Sequence, residues 1–117
     1  MQGAGRGFCA GVDFNDGANM FADMGVEPDI NADVVDALNA CSKPVIAAVN
    51  GAAYTGGLEI VLNCDIVMAS SKARFGDTHA KVGLVPSWGM GYILPRIVGE
   101  FRAKFVNSPP TSAHHIR

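Results

Sequence analysis

The sequence predicts an α/β fold built on parallel strands, and three stretches carry that expectation. "PVIAAVN", residues 44–50, is an unbroken apolar run of strand length. It reads as a strand buried on both faces, the kind found in parallel sheets. A glycine-rich turn follows, and then "GLEIVLNCD" reads as a short buried helix. "IVMAS", residues 66–70, is a second apolar strand. Strand, helix and strand in that order form a crossover unit, right-handed if the two strands are parallel neighbours.

The remaining elements follow in chain order. "MQGAGRGFCAGVDF" opens the chain as a glycine-rich loop. Its Gly3, Gly5 and Gly7 match a dinucleotide loop poorly, because no strand precedes them. Residues 15–30 read as loop or short helix. Residues 31–41 place Val34, Val35, Leu38 and Cys41 at helical spacing, with Asn31 as a candidate cap. Lys43-Pro44 ends that helix, since a residue before proline is pushed out of the helical region. Past the second strand, "ARF" is a third short strand and "HAKVGLVPSWGMG" is loop-rich. "GYILPRIVG" is a short helix limited by Pro95. Residues 100–117 are expected to form a divergent, disordered tail, proline- and serine-rich at its end.

Composition bounds the function. The chain has 117 residues, enough for one domain. Apolar residues make up 49% and charged residues 17%, the balance of a globular chain. A net charge of −2 and no large basic patch argue against a nucleic-acid partner. No apolar run reaches the ~20 residues needed to cross a bilayer, and Met1 leads into glycines rather than a secretory leader. The cysteines, Cys9, Cys41 and Cys64, are odd in number and form no C-x-x-C pair. That argues against a disulfide framework and fits a reducing, cytoplasmic setting. His114 and His115 are adjacent, so they share no face for one metal, and no metal site is expected.

The chemistry concentrates in "GAAYTGGLEI", residues 51–60. A helix N-terminus carries unpaired N–H groups and a partial positive charge. Glycines there let a ligand oxygen approach the backbone, so Thr55-Gly56-Gly57 can hold an oxyanion. Glu59 lies three residues after Gly56, and its side chain points back toward the helix start. A donor and a carboxylate then border one space, which suits acyl chemistry: one stabilises a carbonyl oxygen while the other moves a proton. The plain alternative is a Glu59 that only complements the helix end.

Two segments together resemble the crotonase family, also called the enoyl-CoA hydratase/isomerase family. They are "GAGRGFCAGVDF", residues 3–14, and "KPVIAAVNGAAYTGGLEIVLNCDIVMASSKARFGD", residues 43–77, continuing through "VGLVPSWGMGYILPRIVG". The likeness covers most of residues 3–99, read here as a partial crotonase-like domain. It implies stacked β-β-α turns and an acyl-CoA thioester as ligand, with coenzyme A part of the substrate and no separate cofactor. It places the two oxyanion donors on Val12 and Gly56. It lays Ala10, Gly11 and Asp13 along the coenzyme A moiety, with Gly57 also at the substrate.

Hydratases of this family add water to a 2-enoyl-CoA with two glutamates. The first matches Glu59, while the second falls on His79 in "FGDTHAKVG". Asp77 sits two residues from that position. Histidine exchanges protons near neutral pH, so His79 is the candidate second proton carrier. The departure also admits another acyl-CoA reaction, isomerisation or decarboxylation. The chain is less than half the usual family length, which admits a truncated, non-catalytic remnant. Full-length relatives are expected to be homo-oligomers. Trp88 and Tyr92 are candidates for the acyl pocket or the core, Arg96 for a phosphate or the surface, and Asp65 for a structural pairing.

Overall fold

The computed structural model describes residues 1–11 and 30–107. Helix α1 runs Ile30–Asn39, strand β1 Ile46–Val49, strand β2 Ala52–Tyr54 and helix α2 Gly56–Leu62. Strands β3, Ile66–Ala69, and β4, Arg74–Gly76, follow, then a 3-10 turn His79–Val82. Helices α3, Met90–Val98, and α4, Glu100–Asn107, complete the described chain.

The strands form two parallel pairs. β1 lies beside β3 with Ile46 opposite Ile66 and Val49 opposite Ala69. β2 lies beside β4 with Ala52 opposite Arg74 and Tyr54 opposite Gly76. The N-terminal residues add a third pass to each pair: Gln2 bridges Ala48 and Cys9 bridges Ala53, both in parallel. Each pass therefore crosses one sheet, turns, crosses the other and leaves. The second and third passes each contribute two short strands, and the second continues directly into α2. This is the stacked β-β-α arrangement that the family resemblance implies. The predicted crossover is present, since β1 and β3 are parallel neighbours. The glycine-rich turn between them holds an unpredicted strand, β2, three residues long and without a hydrophobic alternation to announce it.

Stacking of this kind demands close backbone approach, and glycines supply it. A Cβ on Gly51 would fall 2.1 Å from the carbonyl oxygen of Arg6, and one on Gly57 would fall 2.1 Å from that of Cys9. No side chain fits at either distance. The amide of Asn50 binds the same N-terminal loop, donating to the carbonyls of Gly5 (3.0 Å) and Gly7 (3.2 Å).

Two apolar clusters fill the interior. Ala47, Val49, Ala53, Val61 and Ala73 form one between the strands and α2. Leu58, Met90, Leu94, Ala103 and Val106 form the other, under α3 and α4, and Phe75 packs against both. Met90 has no exposed surface. Met90→Ala is expected to cost about 2–5 kcal/mol, the usual range for emptying a packed site, read as a lower urea midpoint with unchanged slope.

Four expectations are corrected by the structure. β1 is fully buried on one face only, with Ile46 partly out in solvent. β3 is exposed throughout, Met68 to 63%, because no further layer covers it among the described residues. Helix α3 continues past Pro95 to Val98, and Gly99, at φ 83°, separates it from α4. Finally, residues 100–107 are not a disordered tail. They form α4, because Ala103 and Val106 share a face buried against α3 and Glu100 pairs with Lys104 one turn on at 3.6 Å. Residues 108–117, with His114 and His115, lie outside the described residues.

Candidate active site

Helix α2 brings the chemistry together. Thr55, its cap, adopts φ 54°, ψ −121°, the only non-glycine positive φ among the described residues. Such a conformation is costly for a β-branched residue and persists only where the surroundings hold it. Here the Thr55 hydroxyl shares a hydrogen bond of 2.5 Å with that of Thr78, and the Thr55 N–H donates to Gly76. The first pass runs against the same helix end. Tyr54 N–H donates to Cys9, and a Cβ placed on Gly11 would lie 3.5 Å from the Gly56 nitrogen. Gly11 itself takes φ 95°, a conformation open to glycine. Gly11, Gly56, Gly57 and Glu59 are thus gathered into one place, with Ala10 exposed beside them. Val12 and Asp13 lie outside the described residues.

Glu59 is 2% exposed. Its Oε1 accepts N–H bonds from Trp88 (2.8 Å) and Met90 (3.3 Å), the latter at the first turn of α3. Oε2 is left facing the imidazole of His79, with Nε2 at 3.8 Å. Burial raises the Glu59 pKa above its usual range. The two N–H bonds and the nearby His79 work the other way, Asp77 adds to the rise, and desolvation prevails.

His79 is itself buried, at 8% exposure, and its other ring nitrogen meets Asp77. Asp77 Oδ1 lies 2.6 Å from Nδ1 and also accepts the backbone N–H of His79 at 2.9 Å. Asn63 closes the arrangement from behind, donating to the carbonyls of Glu59 and Trp88 at 2.8 Å each. Among the described residues no group of side chains is arranged to hold a metal ion.

Sequence reasoning singled out Glu59 and His79, which the structure brings together, and missed what orders them. Asp77, Asn63 and the Trp88 and Met90 amides carried no local signal, apart from the D-x-H spacing that permits a side chain to bond the backbone two residues on. Trp88 stands beside the helix start, its ring edge 3.4 Å from a Cβ built on Gly56. Tyr92 belongs to neither pocket nor core, being 59% exposed beneath the guanidinium of Arg96. Asp65 is structural, its Oδ2 accepting the Val45 N–H at 2.7 Å. A separate apolar cavity of about 390 Å³ lies among Leu58, Phe75, Leu94 and Ile97, and neither Glu59 nor His79 lines it.

Two layers of parallel passes, with a helix leaving the second pass, define a crotonase-type fold. The chain belongs to the enoyl-CoA hydratase/isomerase family, whose model matches residues 1–108. It is 44% identical to the probable enoyl-CoA hydratase 1, peroxisomal, of Arabidopsis thaliana, over 92% of this chain and 40% of that protein. It is 42% identical to the 1,2-epoxyphenylacetyl-CoA isomerase of Escherichia coli, over 88% of this chain and 41% of that one. The crystal structure of the enoyl-CoA hydratase from Mycobacterium tuberculosis superposes with a TM-score of 0.70 at 42% identity, covering 93% of this chain and 42% of that one. The chain thus spans about 40% of the length of the relatives it matches. The match runs through α4, so the family likeness extends beyond Gly99.

Proposed function

We propose that this chain carries the reaction centre of an enoyl-CoA hydratase, adding water across the double bond of a 2-enoyl-CoA in fatty acid metabolism. The observation that carries the reading is the buried Glu59, one oxygen fixed by two amides and the other turned to His79 beside the Gly56 helix end. The thioester oxygen rests on the Gly56 N–H and on that of Val12, with Ala10, Gly11, Asp13 and Gly57 along the substrate. In this reading the attacking water bridges His79 Nε2 and Glu59 Oε2, which stand 3.8 Å apart.

The water oxygen bonds to the β-carbon while Nε2 takes its proton. The electron pair of the double bond moves toward the thioester, whose oxygen is held by the amides. Glu59, whose burial favours the protonated form, delivers a proton to the α-carbon. Transfer from His79 back to Glu59 restores both groups. Coenzyme A enters as part of the substrate, so the reaction requires no separate cofactor.

One observation favours a second reading. His79 replaces the second acid, and one relative is an isomerase. An isomerase or decarboxylase would use the same oxyanion site with a different proton route. A panel of acyl-CoA thioesters separates them. Crotonyl-CoA is expected to be hydrated, and turnover confined to a 3-enoyl- or a malonyl-type thioester would replace this reading with the other.

The described residues include no helix long and apolar enough to cross a membrane. Cys9, Cys41 and Cys64 are free thiols, which supports a reducing, cytoplasmic location. The modest negative charge supports a small-molecule partner over a nucleic acid. A homo-oligomer is the expected assembly for chains of full family length.

A further inference from the structure

We propose that Asp77 is a positioning residue that holds the His79 proton on Nδ1, so that Nε2 presents its lone pair to the water in front of Glu59. The hydration reaction is taken from the proposed function above, while the tautomer stands on the structure alone. Asp77 is 6% exposed and reaches the imidazole from two residues upstream. Its Oδ1 accepts both the His79 backbone N–H, at 2.9 Å, and the Nδ1 contact, at 2.6 Å. A carboxylate accepts and cannot donate, so the proton in that short contact belongs to the ring nitrogen. The backbone bond fixes the carboxylate, and the carboxylate fixes the ring plane. The other flank is tied as well, since Thr78 is bonded to Thr55 at the start of α2.

The consequence is a row in which the imidazole stands between the carboxyl groups of Asp77 and Glu59. Asp77 faces the ring from its own loop and Glu59 faces it from α2. Lys81, on the same 3-10 turn, is exposed. With Nδ1 committed, Nε2 is the one ring nitrogen free to take a proton, and Asp77 stabilises the cation that forms. An imidazole of the opposite tautomer would point an N–H at the water and could not act as its base. Asp77 therefore acts through His79 and touches neither substrate nor reacting atoms.

The test reads the tautomer directly, and activity beside it. The full 117-residue chain is labelled with nitrogen-15, and ring correlations are recorded for the neutral imidazole, with His79 assigned by the signals lost in His79→Gln. The expected pattern is Nδ1 protonated and Nε2 bare. Asp77→Ala is expected to move the ring toward the Nε2–H form and to lower kcat on crotonyl-CoA by about 100-fold with KM nearly unchanged. Asp77→Asn, whose amide oxygen still accepts, is expected to restore the wild-type tautomer in part. A merely structural Asp77 would lower the melting temperature and leave the tautomer alone, which would overturn the proposal. So would a wild-type ring in the Nε2–H form, or one with the signals of an unstructured chain. A correct tautomer response in a chain that does not hydrate crotonyl-CoA would uphold the role of Asp77 and remove the hydratase reading instead.

Discussion

Glu59→Gln is expected to lower crotonyl-CoA hydration by about 10²–10⁴-fold while leaving the fold intact. Glutamine keeps the shape of the side chain, and its amide oxygen can still accept the Trp88 and Met90 N–H groups. What it loses is the exchangeable proton. Steady-state turnover compared with circular dichroism and a thermal melt checks both halves. A variant with wild-type rate would remove Glu59 from the reaction.

The same substitution has a stability signature of known sign. The folded state raises the Glu59 pKa above its ordinary 4.5, so the native chain binds the proton more tightly than the unfolded one. Stability contributed by the protonated form is complete below the unfolded value. It is lost as pH rises through the folded value, where a charge must be carried in a buried site. Glutamine carries no such charge. The melting temperature of Glu59→Gln relative to wild type is therefore expected to rise between pH 4 and pH 8. A difference that stays flat over that window would mean that Glu59 is hydrated in solution.

Gly57→Ala is expected to be among the most damaging small substitutions for the fold. The new Cβ would stand 2.1 Å from the Cys9 carbonyl oxygen and 2.8 Å from the Cys9 Cβ. Neither the strand pass nor α2 can yield without opening the stack. A cost of about 3 kcal/mol follows from overpacking of this kind, or a fall in melting temperature of about 10 °C or more. Gly91→Ala is the control, since its Cβ would meet nothing within 4 Å inside helix α3. It is expected to be neutral or stabilising by about 0.4–1 kcal/mol. If the two alanines melted alike, the close approach of the first pass to α2 would be wrong.

Much of the fold was legible locally. Helix α1, strand β1, helix α2 and strand β3 follow from apolar runs and helical spacing, which report on backbone bonding within a few residues. β2 escaped notice because three small or aromatic residues between glycines give no periodicity, and it exists through pairing with Arg74–Gly76. Helix α4 escaped because its amphipathic face is thin. Ala103 and Val106 are buried by α3 rather than by any strong pattern of their own.

By itself the sequence determined the apolar strands β1 and β3, the glycine-rich turn between them, and that an acid follows a helix start. It also set the pair of signatures that marks the family. Only the tertiary structure decided that Glu59 takes its two amides from residues 88 and 90, and that Asp77, His79 and Glu59 stand in one row. The reason is physical. Local bonding and burial leave a periodic trace along the chain, whereas the alignment of groups from separate passes depends on how those passes stack, and no single stretch records it.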